Sequence, residues 1–291
     1  MGSIKSLSLL LFLFIVSTPA FAYGVDQLYL GDSLQPVSLS DALSPVTKGT
    51  IIIISELHGH QPHHRHQLEA LKELKQDGTF GVSLGMEFFS YTKQLVLNDY
   101  LSGKVREAEF LEQIGWDKNK WQNYRRQVLF PLQAGGTTWA LNLPREVTGQ
   151  IARSGLGSLT PDKRTLLPPN WSLGNDLYYE RFEAFMGRGH ISKDKMKRYF
   201  VAQSLWDETM AWRAVEFIRQ NPDQVLVILV GDFHAIYGGG LPDKIRQRGW
   251  QQILTISQVT LRGMTSDEQD EIMTPHPRYG KRADFIWVGN L

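Results

Sequence analysis

The sequence contains no cysteine. This excludes disulfides, cysteine-ligated zinc, iron–sulfur clusters, a thiol nucleophile and covalent haem attachment through C-x-x-C-H. It also leaves no thiol for a lipid anchor, so the chain is expected to be soluble and not lipidated. A surplus of charge is missing too: 31 Lys and Arg face 30 Asp and Glu, with no basic run. A balanced chain binds phosphate backbones poorly, which removes nucleic acid from the expected partners. After residue 22 no apolar run reaches the ~18 residues that span a bilayer. Several enzyme signatures are absent as well. There is no G-x-S-x-G elbow, no H-E-x-x-H and no P-loop, and Gly238-Gly239-Gly240 does not fit G-x-G-x-x-G.

What is present suffices for a full core. Of 291 residues, 42% are hydrophobic and 21% charged, which excludes intrinsic disorder. Residues 1–22 read as a signal peptide: Lys5 supplies the positive start, Leu9 to Val16 the apolar centre, and Ala20-Phe21-Ala22 the small-x-small cleavage site. An exported chain that uses no disulfides is expected in a bacterial periplasm. Residues 23–291 are read as one elaborated domain.

Continuous β-branched or apolar runs predict strands at Ile51–Ile54, Gly81–Met86, Thr137–Leu141, Val225–Val230, Ile253–Ile256 and Ala283–Val288. Leu68, Leu71 and Leu74, spaced by threes, predict a helix from Pro62 to about Gln76. Alternating strands and helices imply an α/β fold, a parallel sheet flanked by helices. Residues 91–132 and 172–220 carry helical patterns without strands, and are expected to form a smaller all-helical lobe.

Polar residues follow the strands. Glu56 and His58 come after the first, Glu87 after the second, Asn142 after the third and His234 after the fourth. In parallel these ends share one edge, where open α/β sheets bind ligands. Glu56, His58, Glu87 and His234 suit general acid–base chemistry, or a divalent metal such as Zn²⁺. Any one of them alone also suits a buried polar network that pins loops, whereas all four at strand ends point to a ligand site. His58, His60, His63, His64 and His66 crowd together. Of these, His58 and one of His63 or His64 are expected in the pocket, with His60 and His66 on the surface. Asp207, one helical turn from Gln203 and among Trp206 and Met210, needs a partner if buried. Tyr178 and Tyr179, with Arg181 nearby, suit a flat ligand: a phenolate can bind ferric haem, and a cation its propionates.

The order of several short pieces resembles the ChaN-like family of haem-binding, iron-regulated bacterial proteins. The pieces are Ser55-Glu56-Leu57-His58 with His63-His64, Leu84-Gly85-Met86-Glu87-Phe88-Phe89, Gly115-Trp116, Ala140-Leu141-Asn142, Asp207-Glu208-Thr209-Met210-Ala211 and Gly231-Asp232-Phe233-His234. The resemblance spans Gln35 to Trp250. It implies an α/β domain with a smaller helical domain, and non-covalent haem held by a tyrosine at a dimer interface. It further implies a role in haem or iron acquisition, with an outer-membrane haem receptor as a candidate partner. Two departures stand out: Ser55 occupies a position usually held by glycine, and the lipobox cysteine of many members is missing. The Glu-x-His and Gly-x-x-His pieces are also similar to erythromycin-esterase-like and TraB-like proteins. That resemblance keeps open an alternative, a Glu/His or metal-dependent hydrolase at the strand ends using Glu56, His58, Glu87 and His234.

Overall fold

The computed structural model describes residues 23–289 except 188; the predicted signal peptide lies outside the described residues. Eight strands form one sheet. They are β1 (Leu28–Leu30), β2 (Pro36–Val37), β3 (Ile51–Glu56), β4 (Gly81–Ser90), β5 (Thr138–Asn142), β6 (Gln224–Gly231), β7 (Ile253–Thr260) and β8 (Phe285–Gly289). The helices are α1 (Leu39–Leu43), α2 (Gln61–Asp77), α3 (Gln94–Leu101), α4 (Glu107–Ile114), α5 (Lys118–Leu129), α6 (Arg145–Ser154), α7 (Pro161–Arg164), α8 (Asp176–Phe185), α9 (Lys193–Gln220), α10 (Asp232–Ala235), α11 (Leu241–Gln247) and α12 (Ser266–Met273).

The strand order is β2-β1-β8-β7-β3-β6-β4-β5. The run from β8 to β5 is parallel throughout, and β1 pairs antiparallel with both β2 and β8. The fold is thus α/β with a mostly parallel sheet, as the alternating pattern predicts. The strands β1 and β2, three and two residues long, are too short to show a period in the sequence. The four strands whose ends carry the polar residues are consecutive neighbours, β3-β6-β4-β5.

Burial on both faces explains the apolar runs. In β3, Ile52 and Ile54 pack with Phe110 of α4 and Trp121 and Val128 of α5. Ile51 and Ile53 face the other way and pack with Met210, Ala214 and Phe217 of α9. The two helix-rich stretches, grouped by the sequence reading into one lobe, therefore cover opposite faces of the sheet. The physical reason is the strand's two-residue period: a strand apolar at every position needs a cover on each side. Asn175 caps α8 by accepting from Tyr178 N, and Ser192 caps α9 by accepting from Lys195 N. These caps open the two helices that flank the glycine-containing stretch from Gly187 to Gly189.

Candidate functional site

The site begins at the last residue of β3. Glu56 is buried and its carboxylate accepts from the Tyr124 hydroxyl of α5, from Gln67 Nε2 of α2 at 2.5 Å and from His58 Nδ1 at 3.1 Å. His64 Nε2 lies 3.5 Å away. Burial alone pushes a carboxyl upward, but the bonds from His58, His64 and Tyr124 outweigh it and hold Glu56 at about 2. His58 is half-exposed. Its bond to Glu56 raises its pKa against the pull of burial, and the charge of Glu87 adds to the rise.

A second carboxylate–imidazole pair sits at the end of β6. His234 Nδ1 donates to Asp207 Oδ1 at 2.6 Å. The other Asp207 oxygen accepts from the Tyr178 hydroxyl at 2.7 Å, which accepts in turn from Gln203 Nε2 at 3.0 Å. His234 is thus the partner that Asp207 requires. Burial opposes charge on His234, but Asp207 and Glu87 overcome it and raise its pKa to about 9. The imidazole is cationic at neutral pH.

Glu87 joins the two pairs. Its Oε1 lies 3.6 Å from His234 Nε2, and its Oε2 accepts from Gly231 N at 2.6 Å. Gly231 is the space that permits this meeting. A Cβ there would stand 2.9 Å from His58 Cε1, 3.0 Å from His58 Nε2 and 3.6 Å from Glu87 Oε2. Glu56, His58, Glu87 and His234 therefore converge, with Asp207 behind them. Chemically, the half-exposed His58 can exchange a proton with a ligand, while His234 supplies fixed positive charge beside Glu87.

Of these side chains, His58 and Glu87 border a cleft of about 580 Å³, while Glu56, Asp207 and His234 are buried behind them. His58, Glu87 and Asn142 line it, with Phe88, Trp116, Tyr124 and Trp206 as aromatic walls and Lys93, Lys120 and Arg145 as cations. Phe88 lies 4.5 Å from Tyr124 and 6.2 Å from Trp116, centroid to centroid. Tyr124, Gln67 and Lys120 carry no sequence signal as site residues. Each belongs to an amphipathic helix, where its pattern reads only as helix.

Other sequence-predicted residues are placed differently. His60 and His66, expected at the surface, are buried. His66 stacks on Trp287 at 4.2 Å and bonds Asp26, while His60 lies against the His63 ring at 4.1 Å. The start of α2 is wedged against β8, which local spacing does not reveal. His63 is buried away from the cleft; its Nδ1 accepts from Leu57 N, and burial lowers its pKa to about 4, so it stays neutral. His64 contacts Glu56 and the Tyr124 ring instead of the cleft. Tyr178 is buried, and desolvation followed by the Asp207 charge pushes its phenol well above the ordinary value, away from the phenolate an iron ligand needs. Arg181 is buried too, and donates to the carbonyls of Ile236 and Phe233, so it does not reach a propionate at the surface. Tyr179 is half-buried, and its hydroxyl has no hydrogen-bond partner among the described residues. Among those residues no group of three or more His, Asp or Glu side chains has the arrangement to hold a metal ion. The metal-ligand roles considered for Glu56, His58, Glu87 and His234 are therefore unsupported: these groups bond to one another as carboxylate–imidazole pairs.

Residues 42–245 match the sequence model of the family described as "Haem-binding uptake, Tiki superfamily, ChaN". No significant match is found among curated proteins. Among solved structures, the chain is similar to one of cofacial haem binding to ChaN of Campylobacter jejuni, at 15% identity and a TM-score of 0.67, over 91% of this chain and 97% of that one. A protein from Bacillus cereus gives 12% identity and a TM-score of 0.48, over 91% and 94%. An erythromycin esterase in its open conformation gives 13% and 0.45, over 80% and 77%.

Proposed function

The chain belongs to the haem-binding uptake family of the Tiki superfamily, ChaN, and from that premise we propose that it binds haem non-covalently and serves haem or iron acquisition as an exported, periplasmic protein. The observation that carries the reading is the outer face of α8 and α9. Tyr179 and Tyr199 on those helices, with Met186 and Ile191 in the stretch that joins them, are partly exposed over the buried cluster of Tyr178, Phe182, Met196 and Phe200. Flat apolar surface suits a porphyrin, and the unpartnered Tyr179 hydroxyl is the better of the two candidate tyrosines for the iron. Lys195, 5.4 Å from the Tyr199 ring, offers a cation at the same face. Cofacial haem is the arrangement in the similar Campylobacter structure. Two haems face to face are most simply supplied by two copies, which supports a homodimer formed on haem binding. An outer-membrane haem receptor fits the acquisition role as the donor or acceptor of that haem. Titrating the mature protein with ferric haem, with size exclusion alongside, tests the reading. A saturable tyrosinate-type high-spin spectrum and a shift to dimer are expected; no saturable change would remove it.

The convergence of His58 and Glu87 on one cleft, with His234 buried beside Glu87, favours a second reading at a separate site, a Glu/His hydrolase. In that reading His58, oriented by Glu56, takes a proton from water as the oxygen attacks an ester carbonyl, then returns that proton to the alcohol oxygen as the acyl C–O bond breaks, and the acid formed gives up its own proton to solvent. The cationic His234 holds the charge of Glu87 in place. Hydrolysis of 4-nitrophenyl esters that is lost in His58→Ala would support it, and equal rates in both proteins would end it.

A further inference from the structure

Three cations reach the cleft, and two of them have an unusual setting. Lys120 is half-buried near the start of α5, and its Nζ stands 4.2 Å from the Trp116 ring centroid and 6.0 Å from that of Phe88. Ring faces fix an ammonium in place without neutralising it. Arg145 opens α6, and neither it nor Lys120 forms a side-chain ion pair among the described residues. Burial lowers the Lys120 pKa, and the proximity of Arg145 lowers it further, as two like charges facing one space would. Asp117 and Glu87 act on Lys120 only at a distance. Glu87 is itself held by Gly231 N and lies beside His234, so it is not free to neutralise the lysine. The positive end of the α6 helix axis meets the cleft at the same rim, where Pro144 supplies no side-chain cap.

We infer that Lys120 and Arg145 form an anion-recognition subsite of the cleft, which selects flat aromatic ligands carrying a carboxylate. The aromatic body lies against Trp116 and Phe88, and the carboxylate sits between the two cations. His58 and Glu87 border the same space, at the carboxyl ends of the strands. The inference rests on the cleft being a ligand site, and deepens the hydrolase reading by naming the class of molecule that enters.

Calorimetric titration of the mature protein with 2-naphthoate and with 2-naphthamide tests it, because the two probes differ in charge and little in shape. Naphthoate is expected to bind at least about tenfold tighter, since hydrogen bonds to charged groups are worth roughly twice neutral ones. Lys120→Gln and Arg145→Gln are each expected to erase most of that preference while naphthamide binding stays as it was. Arg145 is exposed, so its variant folds independently of how the half-buried Lys120 is tolerated. Failure of naphthoate to bind, equal affinity for the two probes, or a preference unchanged in both variants would overturn the inference. Protoporphyrin IX is added as a competitor to identify the source of the carboxylate. Displacement of naphthoate assigns the subsite to porphyrin carboxylates; retention assigns it to smaller aromatic acids. A protein that binds naphthoate selectively but hydrolyses no ester would lose the hydrolase reading and keep the subsite.

Discussion

Glu56 and Gly231 are register partners at the ends of two neighbouring parallel strands. Their relationship organises the site. Glu56 draws in the His58 imidazole by its Nδ1, and the missing Cβ of Gly231 leaves room for the other side of that ring. The Gly231 amide, unobstructed, binds Glu87. A side chain on either the wrong strand or the wrong register position would separate the histidine from the second carboxylate.

Gly231→Ala is therefore expected to disturb His58 first. The new Cβ would stand 2.9 Å from the imidazole, so the ring must shift. Overpacking of this kind costs about 1–3 kcal/mol. The expected result, by NMR titration, is a His58 pKa that falls toward its ordinary value, with a modest loss in urea stability.

Glu56→Ala should be far more costly. It strands the Tyr124 hydroxyl, Gln67 and two imidazoles around an empty space. Breaking a buried charged network from one side costs roughly 3–5 kcal/mol. Urea denaturation measures the loss; a change below about 1 kcal/mol would mean that water or a neighbour takes over the role.

The pH dependence has two limbs. His234 has its folded pKa raised to about 9 from 6.5, so its contribution is full below pH 6.5 and is lost as pH rises through 9. Glu56 has its folded value lowered to about 2 from 4.5, so its contribution is full above pH 4.5 and is lost as pH falls toward 2. His63, lowered to about 4 from 6.5, adds a loss on the acid side that begins below pH 6.5. Thermal unfolding across pH should show both limbs. Asp207→Asn removes the largest favourable charge on His234, and should flatten the alkaline limb selectively.

The two tyrosines of α8 are expected to separate cleanly. Tyr179→Phe should weaken ferric haem binding at least about tenfold and abolish a tyrosinate band, because loss of a charged or metal-directed oxygen contact is worth more than 1.4 kcal/mol. Tyr178→Phe should leave the haem spectrum unchanged and reduce stability by about 1–2 kcal/mol, as it unpairs one buried oxygen of Asp207. Absorption titration and urea denaturation read the two effects. A haem defect in Tyr178→Phe alone would reverse the assignment.

The sequence by itself determines the six strands β3 to β8, because a run such as Ile51–Ile54 is apolar at every position and only a strand buried on both faces accommodates it. It also determines which polar residues follow those strands, since Glu56, Glu87, Asn142 and His234 sit directly at or beyond the apolar runs. Both are local properties of the chain. Only the tertiary structure decides the rest. Placing β6 between β3 and β4 brings His58, Glu87 and His234 together. Packing α5 on the sheet delivers Tyr124 to Glu56 across 68 residues of sequence. Burying Tyr178 on Asp207 removes it from the surface, and stacking His66 on Trp287 buries a histidine whose pattern looks solvated. Periodicity states which side of an element is apolar; which apolar sides meet is set by packing among elements distant in sequence, and that meeting gives each polar group its partner and its charge.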